Sequence, residues 1–518
     1  MANNLGNSEI SNQKAIINKK YLLIIIIFFV LYCLFLSWSF WFQNVDDAYI
    51  SFRYGKNLMD GHGLVYNPGE YVEGYTNFLW TVITAPFTKI KSVDISIFAL
   101  SLGLIFSIIN IFILTRITRQ FSDLFPVKPA YLILLPAIFF VIDDSIAFWA
   151  IGGMEFPMYT LFILAAAYYY FKINDKPNNY IIMTVFLMLC TLTRPEGNMI
   201  FVITMFHFLI FRKSINSWGK KFLMISMYYG LFALVYYGFK YFYYGQIIPN
   251  TFYAKGVTDI SMNLLLGFKY LALCIGTRLY IFIFILFVPF KKVYKDFKQS
   301  YLLLFTIVYI MYILFVGGDW MIANRFFVPI IPFLYILSAI GLVYAINKII
   351  SIGPRYEAVK YKIANIGIPF LSALLFFVTL SLLEYKELII NDENFKYEYQ
   401  WSMFGKWLKM NVSPNTVIAV GPAGKIPYYS ELYTIDMWGL NNSYISKTSS
   451  KRLQAGHKKF NFEYVLSLNP EFIIGYAGFT DEDIPPRYEK FNAPEEKYQS
   501  IDVVFRLKKK YRNTNIDK

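Results

Sequence analysis

Charge is scarce in this sequence, and so are the side chains that usually bind metals. Charged residues make up 16% of the 518, against 57% hydrophobic and 20% aromatic, a balance that excludes an ordinary soluble globular protein. Three histidines and three cysteines are too few and too scattered for an imidazole or thiolate metal site. Cys33, Cys190 and Cys274 all lie in apolar runs without CxxC spacing, so they read as packing residues. No GxGxxG fingerprint occurs, so no nucleotide is implied, and there is no long internal repeat. The first apolar run, 21–42, follows Lys14, Lys19 and Lys20 but is too long for a signal-peptide core and lacks a small-residue cleavage site. It is expected to stay as an anchor with the N-terminus in the cytoplasm. A net charge of +15 would suggest nucleic acid in a soluble protein. Here most Lys and Arg fall at the ends of apolar runs, which reads as membrane topology and not as a nucleic-acid surface.

What the chain does have is apolar runs of spanning length, or nearly so, up to about residue 384. The run 78–90 is short and carries Pro86, so it is expected to be an outer-surface or re-entrant helix. With that choice, runs 95–115, 130–142, 156–171, 180–192, 199–211 and 222–239 alternate so that Arg116, Arg119, Lys128, Lys172, Lys176, Arg212, Lys213, Lys220 and Lys221 all stay inside. Runs 278–290, 301–316, 326–349 and 363–383 complete about eleven spans. An odd count puts the tail opposite the N-terminus, outside the cytoplasm. Three regions result: a cytoplasmic 1–19, a membrane region 20–385 with an outer loop at 43–94, and a polar tail, 386–518. The tail alternates strand-like runs at 416–420, 432–435, 471–476 and 501–507 with Gly, Pro and Asn breaks, the pattern of a small α/β domain.

The chain is organised around its first polar loop, NVDDAYISFRYGKNLMDGHGLVYNPGEYVEGYTNFLW. Two adjacent carboxylates, Asp46 and Asp47, stand where the first span should emerge into water. Beyond them Ala48, Phe52, Gly55 and Met59 fall on one helical face and Tyr49, Arg53, Lys56 and Asp60 on the other, which predicts a helix lying on the bilayer surface with its polar side wet.

At the outer ends of the spans, polar residues converge. The first loop brings Asp46, Asp47, His62, Glu70, Glu73 and Tyr75; the second brings Asp143, Asp144 and Glu155. Arg194 and Glu196 follow in TRPEG, Asn250 and Lys255 in PNTFYAK, and Asp319, Trp320 and Arg325 in GGDWMIANRFF. Carboxylates and cations on one membrane face suit an anionic lipid headgroup and its chemistry. If the substrate is a sugar on a polyprenyl phosphate, an acceptor hydroxyl must lose its proton as it attacks, and one carboxylate can serve as general base. The phosphate leaves readily and needs cations, not an acid. Arg194, Lys255 and Arg325 are the candidate phosphate ligands; His62, Glu73, Tyr75, Glu155, Glu196, Asn250, Asp319 and Trp320 would bind substrate or shape the site. Plainer roles exist for each: an N-cap for either aspartate, snorkelling for Arg194, a pair with Arg53 for Glu73, a satisfied core position for His207. So many carboxylates leave room for a divalent cation, but no ligand spacing demands one.

The first-loop sequence, followed by IGGMEFPMY, TRPEG, IIPNTFYAK, GGDWMIANRFFVPIIP and IAVGPAGKIPYYSELYTIDMWGLNN, resembles the bacterial family that includes the terminal β-arabinofuranosyltransferases of cell-wall synthesis. The matches run from about residue 44 to 442. The resemblance implies a polytopic α-helical membrane protein of the GT-C class with a C-terminal extracytoplasmic α/β domain. It implies a polyprenyl-phosphate-linked sugar donor, inverting transfer to a hydroxyl of an envelope glycan, lipid or protein, and an acidic base at Asp46 or Asp47. It places the chain in the cytoplasmic (inner) membrane with its site on the outer face, and it does not carry over the sugar. Alternatives from other classes are a transporter or flippase of lipid-linked saccharide and a membrane-anchored assembly protein; an aminoarabinose-type or protein O-mannosyl-type transferase is the near neighbour among enzymes.

Overall fold

The computed structural model describes residues 19–39, 44–124, 130–255, 260–319, 321, 323–351, 393–448, 459–475, 479–498 and 503–512. Trp320 and the expected last span, 363–383, lie outside the described residues. Among the described residues, five helices are long and apolar enough to cross a membrane, from Lys20–Ser37 to Phe297–Val316. Four shorter apolar helices, Phe156–Phe171, Asn179–Thr193, Gly197–Ile210 and Ile331–Ile346, pack among them. Phe156–Phe171 is buried along nearly its whole length, as befits a helix apolar on every side. The region 78–90 forms a seven-residue helix, Phe78–Thr84, then a five-residue 3-10 turn, Ala85–Lys89, with Pro at its start. Together they are too short to span.

Two expected spans differ. The run 130–142 does not end in a loop: helix Ile133–Val141 is followed by Asp144–Ile151 at a bend of 60°. Asp143 makes the break, because its carboxylate caps the second helix by accepting from the Ile146 N–H at 3.0 Å. The span placed at 278–290 is instead the helix Ile260–Phe282. Arg278, the first residue of the expected span, is buried inside it and forks onto Asp143, with Nε to Oδ2 at 2.6 Å and Nη2 to Oδ1 at 3.0 Å. A paired arginine is tolerated within the bundle where a lone one is not.

The tail carries a five-stranded sheet in the order β2-β1-β3-β5-β4. Its strands are β1 (Val417–Val420), β2 (Tyr433–Asp436), β3 (Phe472–Ile474), β4 (Tyr488–Lys490) and β5 (Val504–Leu507). β1 pairs in parallel with β2 and β3, whereas β5 is antiparallel to β3 and β4. β4 has no counterpart among the expected strands; Tyr488 is buried, but Glu489 and Lys490 are exposed, too polar a run to signal a strand. Alternation along β1 separates the two faces. Ala419 faces a core with Ile435, Val465 and Phe505. Ile418 and Val420 face another, which joins Phe404 and Leu408 of helix Glu393–Asn411 to Ile50, Tyr54, Tyr66 and Tyr75 of the first loop. First loop and tail therefore share one core.

That core corrects the picture of the first-loop helix, Asp46–Met59. It has no wet face over most of its length, since every residue from Ala48 to Gly55 is buried. One side packs on the 3-10 turn, where a Cβ at Gly55 would lie 3.1 Å from the Ala85 Cα. The other side, with Tyr49 and Arg53, is covered by the tail. Arg53 donates to the carbonyls of Tyr66 at 2.7 Å, Pro427 at 2.5 Å and Leu432 at 2.7 Å, and to Asn67 Oδ1 at 3.0 Å. The polar stripe is amphipathic towards protein, not towards water.

Candidate active site

Local backbone chemistry aims the two aspartates apart. Both sit in the first turn of the helix, where the N-terminal partial charge favours anions. Successive helical residues diverge in direction, and here they serve different partners. Asp46 turns to the tail: Oδ2 accepts from the Gly424 N–H at 2.9 Å and Oδ1 from the Lys425 N–H at 2.7 Å. Burial first, and Glu398 and Asp47 further, push its carboxyl up to about 7 against the amides and Lys425. Asp47 turns the other way, with its side chain 26% exposed and Oδ2 at 3.2 Å from Arg325 Nη1.

Arg325 is itself held by Asp319 in a two-point fork, Nε to Oδ2 at 2.5 Å and Nη2 to Oδ1 at 2.9 Å. Burial pulls its guanidinium down, but Asp319 and then Asp47 more than offset this and raise it. The loop that delivers Arg325 passes through left-handed backbone at Ala323 (φ 57°) and Asn324 (φ 45°). The Trp149 indole N–H holds this turn by donating to the Ala323 carbonyl at 3.0 Å.

Lys255 ends a short helix, Asn250–Lys255, and is partly buried. Burial and then the Arg325 charge depress its ammonium, while Asp47 and Asp319 act the opposite way. Among the described residues it has no ion pair within 4 Å, so Lys255 is a cation in reach of the cluster with donors to spare.

Arg194 is differently committed. It lies just past helix Asn179–Thr193, with Nη1 at 2.5 Å from Glu155, and Nε and Nη2 at 3.2 and 3.0 Å from Glu196. Tyr312 donates to Glu196 at 2.7 Å and Asn77 to Glu155 at 2.7 Å. Two carboxylates thus outweigh one guanidinium. Phe156 and Phe326 lie against both arginines, with Arg194 at 4.8 and 5.7 Å and Arg325 at 5.9 and 5.5 Å from their ring centres.

Asp47, Asp319, Arg325, Lys255, Arg194, Glu155 and Glu196 thus form one neighbourhood. Other candidates sit elsewhere. Glu73 pairs with Lys240 at 2.9 Å, not with Arg53, and burial pushes its carboxyl up to about 7. Tyr75 is buried and shares a hydroxyl contact of 3.0 Å with Tyr244. Asn250 donates to the tail carbonyls of Gly439 and Leu440, each at 2.8 Å. His62 is exposed, Glu70 is bonded by the Tyr433 hydroxyl, and Asp143 belongs to the Arg278 pair. Asp144 meets Tyr32 at 3.4 Å, away from the cluster. His207 is a satisfied core residue, bonded to Tyr170 at 2.7 Å and Ser300 at 3.0 Å. Among the described residues no three His, Cys, Asp or Glu side chains gather as a metal set.

Sequence reasoning passed over several residues that hold the loops around the site. Lys240 is a lone cation inside the aromatic run YYGFKYFYY, a signal that an intramembrane charge has a partner. Gly153 (φ 81°) lets the second loop pass Asn44, whose Cγ would lie 2.3 Å from an added Cβ. Gly424 and Lys425 stood in a quoted motif, but nothing local tied them to Asp46.

A family model described as a domain of unknown function (DUF8728) matches residues 390–513. A terminal beta-(1->2)-arabinofuranosyltransferase of Mycobacterium tuberculosis is 24% identical over 231 residues. That match covers 42% of this chain and 36% of the relative, so the chain spans about a third of the relative's length in it. In three dimensions, ArnT from Cupriavidus metallidurans bound to undecaprenyl phosphate superposes with TM-score 0.58 at 11% identity, covering 94% of this chain and 98% of that one. The oligosaccharyltransferase AglB from Archaeoglobus fulgidus, in complex with an inhibitory peptide and a dolichol-phosphate, gives 0.53 at 13% identity over 88% and 69%. The chain is a polytopic membrane protein of the GT-C fold, and it resembles the arabinofuranosyltransferase over part of its sequence.

Proposed function

We propose that the protein is an inverting glycosyltransferase that moves a sugar from a polyprenyl-phosphate carrier to a hydroxyl of an envelope glycan, lipid or protein. The site would face the outer side of the cytoplasmic membrane. The observation that carries this reading is the position of Asp47, water-accessible and 3.2 Å from a buried arginine, with Lys255 lacking an ion pair among the described residues. The two fold relatives solved with undecaprenyl phosphate and dolichol-phosphate support a lipid-phosphate carrier.

Asp47 is the base in this scheme. The acceptor hydroxyl attacks the anomeric carbon opposite the phosphate; a new C–O bond forms as the anomeric C–O bond to phosphate breaks. The hydroxyl proton passes to Asp47, and the electron pair leaves with the polyprenyl phosphate, whose charge Lys255 and Arg325 meet. Asp319 fixes the guanidinium plane so that no reorganisation is needed as that charge develops. Arg194, already bound by Glu155 and Glu196, supports the floor of the site and does not bind phosphate. Asp46 already accepts two backbone amides, so it is the holding member of the pair.

Transfer of label from a panel of polyprenyl-phospho-sugars to a crude envelope acceptor tests this. Asp47→Asn should lower turnover by about 10² to 10⁴-fold with undecaprenyl phosphate binding kept. Wild-type turnover by that variant would sink the reading, and no turnover by the wild type with any donor would favour transport or assembly.

A further inference from the structure

We infer that the tail is a positioning clamp on the active site: the sheet edge at the C-terminal ends of β1 and β2 sets the separation between the element bearing Asp47 and the element bearing Lys255. This rests on the glycosyl-transfer reading above and gives a role to the region matched by the domain of unknown function.

β1 and β2 are parallel neighbours, so the loops that follow them emerge side by side on one edge, strand-spaced at about 4.8 Å. The loop after β1 grips the first-loop helix at its start. Gly424 and Lys425 donate their N–H groups to Asp46, whose chain neighbour is Asp47. The backbones touch there, because a Cβ on Gly424 would lie 1.8 Å from the Asp46 carbonyl oxygen. The Tyr66 hydroxyl adds a bond to the Ala423 carbonyl at 2.6 Å.

The loop after β2 grips the other element. Gly439 and Leu440 present their carbonyls to the Asn250 amide, each at 2.8 Å, and the Ser446 hydroxyl donates to Asn250 Oδ1 at 2.7 Å. Asn250 opens the six-residue helix that ends in Lys255, so holding one end of so short a rod aims the other. Asp436, the last residue of β2, stiffens this loop. Its carboxylate accepts from the Trp438 N–H at 3.0 Å, the Asn441 N–H at 2.8 Å and the Asn441 side-chain amide at 2.9 Å. Every side-chain donor and acceptor of Asn250 is used on the tail, so it shapes the site without touching substrate. Base and phosphate cation are thus tied to adjacent strands of one sheet. The two groups must sit either side of one anomeric carbon, and an error of about 1 Å costs about 10²-fold in rate.

The two grips separate in kinetics. In the full-length protein, Gly424→Ala should lower kcat by about 10²-fold while the Kd for undecaprenyl phosphate stays within about twofold. Ser446→Ala, which loosens only the lysine helix, should raise that Kd by about fivefold at a nearly constant kcat, the loss expected of one hydrogen bond. A purely structural tail would lower kcat and raise Kd together, in step with a falling Tm. That result, or wild-type values in both variants, would overturn the clamp. Asp47→Asn in the same assay separates this failure from that of the transferase reading, because its turnover does not depend on the tail variants. Hydrogen exchange reports without turnover or an intact binding assay. Amides at 46–52 in Gly424→Ala and at 250–255 in Ser446→Ala should exchange faster than in wild type, and unchanged exchange at both would also overturn the proposal.

Discussion

Adjacent carboxylates with different neighbours acquire different chemistry. Asp46 commits both carboxylate oxygens to two backbone amides, and Asp47, with its side chain 26% exposed, gains an arginine. The consequence can be measured through pH. The folded value of Asp46, about 7, lies above the usual carboxylate range, so folding favours its protonated form. Its contribution to stability is fully present below about pH 4 and is lost as pH rises through about 7. Asp46→Asn is neutral throughout, so its Tm in detergent should rise relative to wild type between about pH 5 and about pH 8. A pH-independent difference would mean that Asp46 does not titrate in that window.

At the scale of elements, the site is built from loops that pass too close for ordinary side chains. The second loop reaches the first through Gly153: Val45 N–H donates to the Gly152 carbonyl at 3.1 Å, and the Trp80 indole donates to the Gly153 carbonyl at 3.0 Å. Gly153→Ala must accommodate both a left-handed φ of 81° and a methyl 2.3 Å from Asn44 Cγ. A cost of about 1–3 kcal/mol is expected from the overpacking. Because Asn44 stands just before the aspartates, turnover should fall as well, and a fully active, equally stable variant would show that this crossing does not position them. The motif IGGMEFPMY was legible as part of the site. The reason for its glycine was not, since it depends on which loop lies opposite.

On the scale of the whole molecule, first loop and tail are one packed unit although more than 300 residues separate them in sequence. Arg53 is the buried bolt between them, with four acceptors drawn from both sides. Arg53→Met removes those four hydrogen bonds, each worth about 1 kcal/mol net, so stability should fall by roughly 4 kcal/mol in a detergent unfolding titration. The loss should appear first as faster proteolysis or exchange in the tail; a variant with wild-type stability would show that the apolar contacts alone hold it.

By itself the sequence determined that the chain is a multi-span helical protein, where most helices run, that 78–90 is too short to cross, and where four of the tail's strands fall. These follow from local hydropathy and period, which need no knowledge of neighbours. It also named the residues that gather around Asp47, because charges at span ends are visible one loop at a time. Tertiary structure alone decided how they are paired: that Asp46 holds while Asp47 faces Arg325, that Arg194 is already neutralised, that Arg278 answers Asp143 inside the bundle, and that the polar face of the first-loop helix meets the tail and not water. Pairing is a property of two segments brought together by folding, and an isolated run carries the charge without its partner.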